Sequence, residues 1–358
     1  MKIINKYVLN EVKLPTLFGI SLFTFIFLIE IIMTMMENII VKGISPFNVA
    51  RILSFYLPPI LAQTIPMGLF LGVMITYSNF TRTSELTAMQ SMGLPLKKIV
   101  QPMFYLSLGL TLFIFFLQES IIPRSFTKLE QLTVRLAYEN PTFQLKSKIF
   151  MKDMEEYTLY IDEVNGLKKK AENILIFQKQ KGTPYPMVLL GKEAHWENAT
   201  MILTDAEFLN LDSEGKESLR GEFQEKKVPL SAYIGGIEMS LKELETQSIS
   251  ELWKNLKDKK GKERYPYLTE LNRKLAVPLS TLFLGVLGVV LSVGHHRSGK
   301  GASFGMSLGI IFLYIVLLNI GVVLGTRGVL HPGIGIWVPD IILALFTIIM
   351  YKRKAARF

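Results

Sequence analysis

The chain has 358 residues, 49% of them hydrophobic and 20% charged, with a formal net charge of +10. A mean hydropathy of +0.32 is too high for an ordinary soluble protein, while the charged fraction is too high for a chain lying wholly in lipid, so membrane spans plus a water-exposed part are implied. Cysteine is absent, which excludes a disulfide framework and thiolate metal or redox chemistry but leaves the compartment open.

Apolar runs long enough to cross about 30 Å of hydrocarbon fall at Leu14–Met36, Ile52–Tyr77, Ile99–Leu117, Leu275–Val293, Ala302–Leu324 and Ile336–Tyr351. They form two groups of three. Residues 1–117 are expected to hold spans one to three, 118–267 an inserted β-domain with a connecting helix at its end, and 268–358 spans four to six. The first run exceeds a signal h-region and no small-residue cleavage site follows it, so it is expected to be a retained span. One set of loop ends carries Lys2, Lys6, Lys13, Arg82, Lys97, Lys98, Arg297, Lys300, Lys352, Arg353, Lys354 and Arg357, and the opposite set only Lys42, Arg51 and Arg327. The positive-inside rule then puts both termini in the cytoplasm and 118–267 outside.

In span one, Glu30 lies a turn or two from the outer end, with Thr34 and Glu37 after it and Lys42 in the following loop. An acid in hydrocarbon is costly unless it faces protein or water, so Glu30 is either a functional group or a side chain that snorkels or is protonated.

Between spans two and three, residues 81–93 have the punctuation of a short helix of about ten residues. Thr83 or Ser84 can cap its start, Glu85 suits the first turn, Gly93 suits a left-handed C′ position and Pro95 prevents continuation. Leu86 and Met89 form a narrow apolar edge, which Met92 can extend. A helix this short is marginal alone. It either lies flat on its own spans or enters a groove on a cytoplasmic partner with Leu86 and Met89 as anchors.

Six strand-like runs follow, at Tyr157–Ile161, Ile174–Gln178, Met187–Leu190, Met201–Leu203, Phe208–Leu211 and Leu219–Phe223, separated by turn clusters at 181–184 and 212–215. They predict an antiparallel sandwich or an open roll. Next, SISELWKNLKDKK at 248–260 predicts a helix capped by Ser248, with Leu252, Trp253 and Leu256 at helical spacing, tethering the β-domain before span four; Pro266 is expected to separate it from the next helix.

Arg273 and Lys274 open span four on the outer side, against the charge rule. They suit a lipid phosphate, or equally a salt bridge to Glu270 or anchoring at the interface. The stretch GHHRSGKG at 294–301 fits a phosphate-binding loop except at its last position, where Gly301 cannot supply the magnesium hydroxyl. It follows a span rather than a strand, so it is expected to be a turn between spans four and five. In span five Gly301, Gly305 and Gly309, then Gly321 and Gly325, recur every fourth residue, a spacing suited to close helix packing or to a sliding gate helix, with Asn319 able to hydrogen-bond across the seam. His195, His295, His296 and His331 have no partners at metal-ligand spacing, so no metal is expected. No catalytic constellation appears, and the basic residues follow loop topology rather than a nucleic-acid module, so no nucleic-acid partner is expected.

Four stretches together resemble a known family: YLPPILAQTIPMGLFLG at 56–72, SELTAMQSMG at 84–93, LNRKLAVP at 271–278 and GIWVP at 335–339. Along the full length the chain is similar to the lipopolysaccharide export permeases LptF and LptG, also called YjgP/YjgQ. The resemblance implies an α-helical membrane protein of six transmembrane helices with a periplasmic, all-β, jellyroll-like domain between helices three and four, located in the bacterial inner membrane. It implies a transport subunit rather than an enzyme, pairing with a second permease chain. ATP and magnesium would be bound by a separate LptB-like cytoplasmic ATPase dimer, and none by this chain. Lipopolysaccharide would leave the outer leaflet through a gate involving spans one and five and pass to periplasmic LptC/LptA-like β-jellyroll proteins. Residues 81–93 would dock on the ATPase, with Ser84, Glu85, Leu86 and Met89 at the contact. Family members often carry a basic residue near the outer end of span one; Glu30, Thr34 and Glu37 stand here instead, with Lys42 as a substitute. The alternatives are export of another lipid or of lipoproteins, and a membrane-anchored receptor or scaffold without transport.

Overall fold

The computed structural model describes residues 2–40, 45–139, 148, 150, 157–165, 170–179, 185–197, 200–212, 215–229, 244–293 and 300–356. Among them, six helical segments are long and apolar enough to cross a membrane, one for each apolar run. Helix is the form expected of a span, because lipid offers no partner to a peptide group. The spans are α1 (Lys2–Ile40), α2 (Pro46–Arg82), α4 (Leu96–Phe116), α7 (Arg264–Ser292), α8 (Lys300–Thr326) and α9 (Pro332–Ala355). The short helix α3 (Glu85–Ser91) lies between α2 and α4. Beyond α4 the backbone passes through a π turn (Leu117–Ile121) into α5 (Ile122–Glu139) without a break. Helix α6 (Ile249–Asp258) precedes span four.

The chain divides into two units. One comprises residues 1–29, 56–125 and 244–358; the other comprises 30–55 and 126–243.

In the first unit, spans two and four are the most enclosed, with 83% and 72% of an apolar 18-residue stretch buried in each, against 22% for spans one and five. Spans one and five therefore turn most of their surface away from the rest of the unit. Small residues permit the close crossings. A Cβ on Gly19 of α1 would stand 2.9 Å from the Gly68 backbone of α2, and Thr16 fills the space over Gly72. Nearby, the Thr24 and Thr64 hydroxyls share a hydrogen bond of 3.0 Å. On α7, Gly285 accommodates Ser107 and Gly288 accommodates Val73. Two of the family-like stretches meet, since the Trp337 indole donates to the Asn272 side-chain carbonyl at 2.9 Å.

Helix α6 forms as its sequence predicts, with a reciprocal capping box between Ser248 and Glu251. Leu252 and Leu256 pack on Leu271, but Trp253 is exposed rather than part of that face. Glu119, presented by the π turn, accepts from the Ile249 N–H at 3.0 Å and from the Ser250 hydroxyl, so an acid meets the helix N-terminus where the dipole favours it. Pro266 does not make the break after α6. It sits in the first turn of α7, where its missing N–H costs nothing. The break falls instead at residues 259–263, where Gly261 takes φ +58°.

The second unit holds an antiparallel sheet of five strands in sequential order: β1 (Tyr157–Asn165), β2 (Lys170–Gln178), β3 (Met187–Glu197), β4 (Thr200–Leu211) and β5 (Glu217–Pro229). The six predicted runs thus correspond to five strands. Met201–Leu203 and Phe208–Leu211 are two halves of β4, divided in the sequence by Thr204-Asp205-Ala206. One sheet face is buried, through Leu159, Ile161, Ile176, Leu189, Trp196, Met201 and Val228 among others. The described strands make one open sheet; no second sheet facing it occurs among the described residues.

A transverse crease explains the interrupted patterns. In four strands the buried positions step by three instead of two at one place, from Ile161 to Val164, Ala171 to Ile174, Gly191 to Ala194 and Leu203 to Ala206. Ile161 pairs with Ile174, Ile174 with Gly191 and Gly191 with Ala206, so the steps lie in register. Asn173 and Asp205, at φ +53° and +50°, supply the left-handed backbone. Asn and Asp tolerate that region better than other side chains do, and a concerted bulge of this kind bends a sheet.

Candidate functional site

Between spans two and three the chain turns twice within about a dozen residues. Ser84 sits at φ +61° and its side chain makes no cap bond. Thr83 does not cap either: its hydroxyl lies 2.9 Å from the Asn79 carbonyl and 2.8 Å from Glu85 Oε1, and its single proton is shared between these two acceptors. The predicted cap is therefore replaced by a left-handed kink plus an acid in the first turn. The far end matches its punctuation. Gly93 takes φ +75°, its N–H reaches the Gln90 carbonyl at 2.8 Å, and the Leu94 N–H reaches the Met89 carbonyl at 3.2 Å. This is a Schellman stop, with Leu94 and Met89 in the same apolar cluster.

The helix is seven residues long, too short to stand alone, and burial holds it. Leu86 and Met89, weighed in the sequence as anchors for a partner's groove, point into the protein's own core with Val8 and Val12 of α1, Tyr77 and Phe80 of α2, Ile99 and Met103 of α4 and Val293 after α7. Each buried apolar side chain contributes about 1.5–3 kcal/mol. The surface left for a partner is formed by Thr87, Ala88, Ser91 and Met92. Met92 is 68% exposed and is the free apolar side chain of this helix. Both oxygens of the half-buried Glu85 carboxylate are engaged: Oε1 by Thr83, and Oε2 by the Tyr7 hydroxyl of α1 at 2.8 Å. The Tyr7 ring lies over Phe80, with centroids 5.6 Å apart.

At the opposite end of the same unit, Arg273 and Lys274 are held inside the chain. Arg273 donates twice to Glu270, at 2.8 and 3.0 Å, and lies 3.3 Å from Glu245. Lys274 donates to the Glu245 carbonyl at 2.9 Å and stands 3.8 Å from Glu270. Of the alternatives open in the sequence, the ion pair with Glu270 is the one formed. Arg273 also borders a cavity of about 240 Å³ between α1, α2, α7 and α8, together with Gln63, Tyr314 and Asn319.

The glycines of span five divide into two groups. Gly321 lies against the Gly335 carbonyl of α9 and Gly325 against Thr269 and Pro332, which is close helix packing. Gly301, Gly305 and Gly309 face open space. Glu30 and Thr34 are exposed on α1, and the Thr34 hydroxyl donates to the Glu30 carbonyl at 3.0 Å. Lys42, the turn at 181–184 and the stretch 294–299 lie outside the described residues. The flanks of that stretch are nevertheless clear: it follows the helix α7 and precedes the helix α8. The strand that a phosphate-binding loop requires is therefore not there. His331 caps α9 by accepting from the Gly333 N–H at 3.2 Å. Among the described residues no group of three or more acids or histidines could hold a metal.

Tyr7 was not visible as a site residue in the sequence. Seventy-eight positions separate Tyr7 from Glu85 with no local signal to link them, and Met92 becomes distinctive only once Leu86 and Met89 are seen to be buried.

A family model described as lipopolysaccharide export system permease LptF/LptG matches residues 6–353. No curated protein matches the chain.

Proposed function

This chain belongs to the lipopolysaccharide export permease family LptF/LptG, and from that premise we propose that it is one of two permease chains that lift lipopolysaccharide from the inner membrane toward a periplasmic bridge. The coarser statement, a multi-pass membrane permease of a lipopolysaccharide export system, follows from the family and the six apolar helices. The finer reading has ATP hydrolysed on a separate cytoplasmic ATPase dimer that seats against α3. Closure of that dimer moves α3, spans one and five shift against the second permease chain, and the lipid is driven toward the β-domain and the LptC/LptA-like proteins beyond it. The distribution of lysine and arginine supports cytoplasmic termini, and therefore α3 on the ATPase side.

The observation that carries this reading is the construction of α3. A seven-residue helix is fixed from beneath by Leu86 and Met89, yet it presents Met92 and a row of small polar side chains outward. That is the form of a docking element rather than of a loop. The 22% burial of spans one and five supports their place against a second chain or a lipid. Purifying the full chain from its native membrane tests the proposal. The expected companions are an ABC-type ATPase and a second six-span chain; recovery of the chain with neither would contradict it.

A further inference from the structure

The Tyr7–Glu85 hydrogen bond joins two elements that the proposed transport cycle must move together. Tyr7 belongs to the first turns of α1, the least enclosed span along with span five. Glu85 opens α3, the element proposed to meet the ATPase. The apolar packing of Leu86 and Met89 against Val8 and Val12 also joins them, but such contact is non-directional and tolerates sliding. A 2.8 Å bond from a phenol to a carboxylate is directional, and stronger than a bond between neutral groups. Its geometry is fixed at both ends. The Tyr7 ring is stacked on Phe80, and the second carboxylate oxygen is held by Thr83, which adjoins the kink at Ser84.

We propose that Tyr7 is a positioning residue that passes the displacement of α3 to span one, through its hydroxyl on the Glu85 carboxylate. The proposal rests on the permease reading above. Each carboxylate oxygen keeps a further lone pair, so a cationic side chain of the ATPase can bind Glu85 while Tyr7 remains attached. Docking and transmission then meet at one carboxylate. Removing the hydroxyl separates them, because ring stacking and apolar burial survive in Tyr7→Phe.

The test is Tyr7→Phe in the full complex of both permease chains and ATPase, reconstituted in vesicles containing lipopolysaccharide, with wild type in parallel. ATPase copurification, ATP hydrolysis and lipid released per ATP are read separately. A merely structural loss would lower the amount of working complex and reduce hydrolysis and release together, leaving their ratio unchanged. The expected result is normal ATPase copurification and sustained hydrolysis, with lipid released per ATP falling about tenfold, the effect of losing one hydrogen bond to a charged group. An unchanged ratio in the variant, or loss of ATPase binding from it, would overturn the role assigned to Tyr7 while leaving the permease reading intact. Failure of the wild-type complex to bind ATPase or release lipid would overturn that reading, and this inference with it.

Discussion

The ion cluster around Glu270 in the first unit gives a quantitative prediction. Glu270 is 8% exposed and receives two bonds from Arg273, while Lys274 is 5% exposed and stands 3.8 Å from it. Glu270→Leu strands both cations in a largely dry site. Stranding one member of a buried pair costs about 3–5 kcal/mol. The low end applies here, about 3 kcal/mol, because Glu245 remains 3.3 Å from Arg273 and is 61% exposed, and the Glu245 carbonyl still holds Lys274. The triple variant Glu270→Leu/Arg273→Met/Lys274→Met removes the three enclosed charges at once, leaves only the exposed Glu245, and should lie within about 1 kcal/mol of wild type, since apolar replacement of a whole buried cluster is often neutral. Reversible unfolding of the purified chain in mixed micelles, titrated with a denaturing detergent, measures both. A cost for Glu270→Leu below about 0.5 kcal/mol would mean a solvated surface pair and would refute the desolvation argument.

Other expectations concern α3, span five and the crease. Met92→Glu should weaken ATPase association about tenfold, the loss of one exposed apolar anchor, without changing the stability of the chain, as measured by copurification and by unfolding. Leu86→Ala should instead destabilise the chain itself by about 2–5 kcal/mol. In span five, Gly321→Val should destabilise the isolated chain because its side chain would enter the Gly335 backbone, whereas Gly305→Val should stay within about 0.5 kcal/mol and lower recovery of the second permease chain. In the sheet, Asn173→Val should cost about 1–2 kcal/mol at its left-handed backbone, seen in an unfolding midpoint.

Much of the architecture was legible because the physics is local. The apolar runs marked the spans, since helix is what lipid permits, and Ser248 announced the start of α6. Gly93 and Pro95 ended α3 for reasons of backbone conformation alone. The start of α3 was less legible because a left-handed Ser84 is not written in residue type; any polar residue there looks like a cap. The crease made one strand, β4, read as two, as a concerted step of three across four strands breaks the two-residue alternation that identifies a strand. Arg273 looked equally suited to a phosphate and to Glu270, and three-dimensional proximity to Glu245 favoured the latter. The direction taken by Leu86 and Met89 depended on the other helices packed beside them, and the Tyr7–Glu85 bond depended on folding alone.

In the proposed function this chain couples ATP hydrolysis on another subunit to lipid export. Its most direct test places the complex in vesicles loaded with lipopolysaccharide and follows transfer of lipid to a soluble periplasmic acceptor on addition of ATP. Transfer is expected to require ATP, the ATPase and this chain with α3 intact, and to stop when Glu85 is replaced by Ala. Equal transfer without ATP, or full ATP-driven transfer by the Glu85→Ala complex, would contradict it.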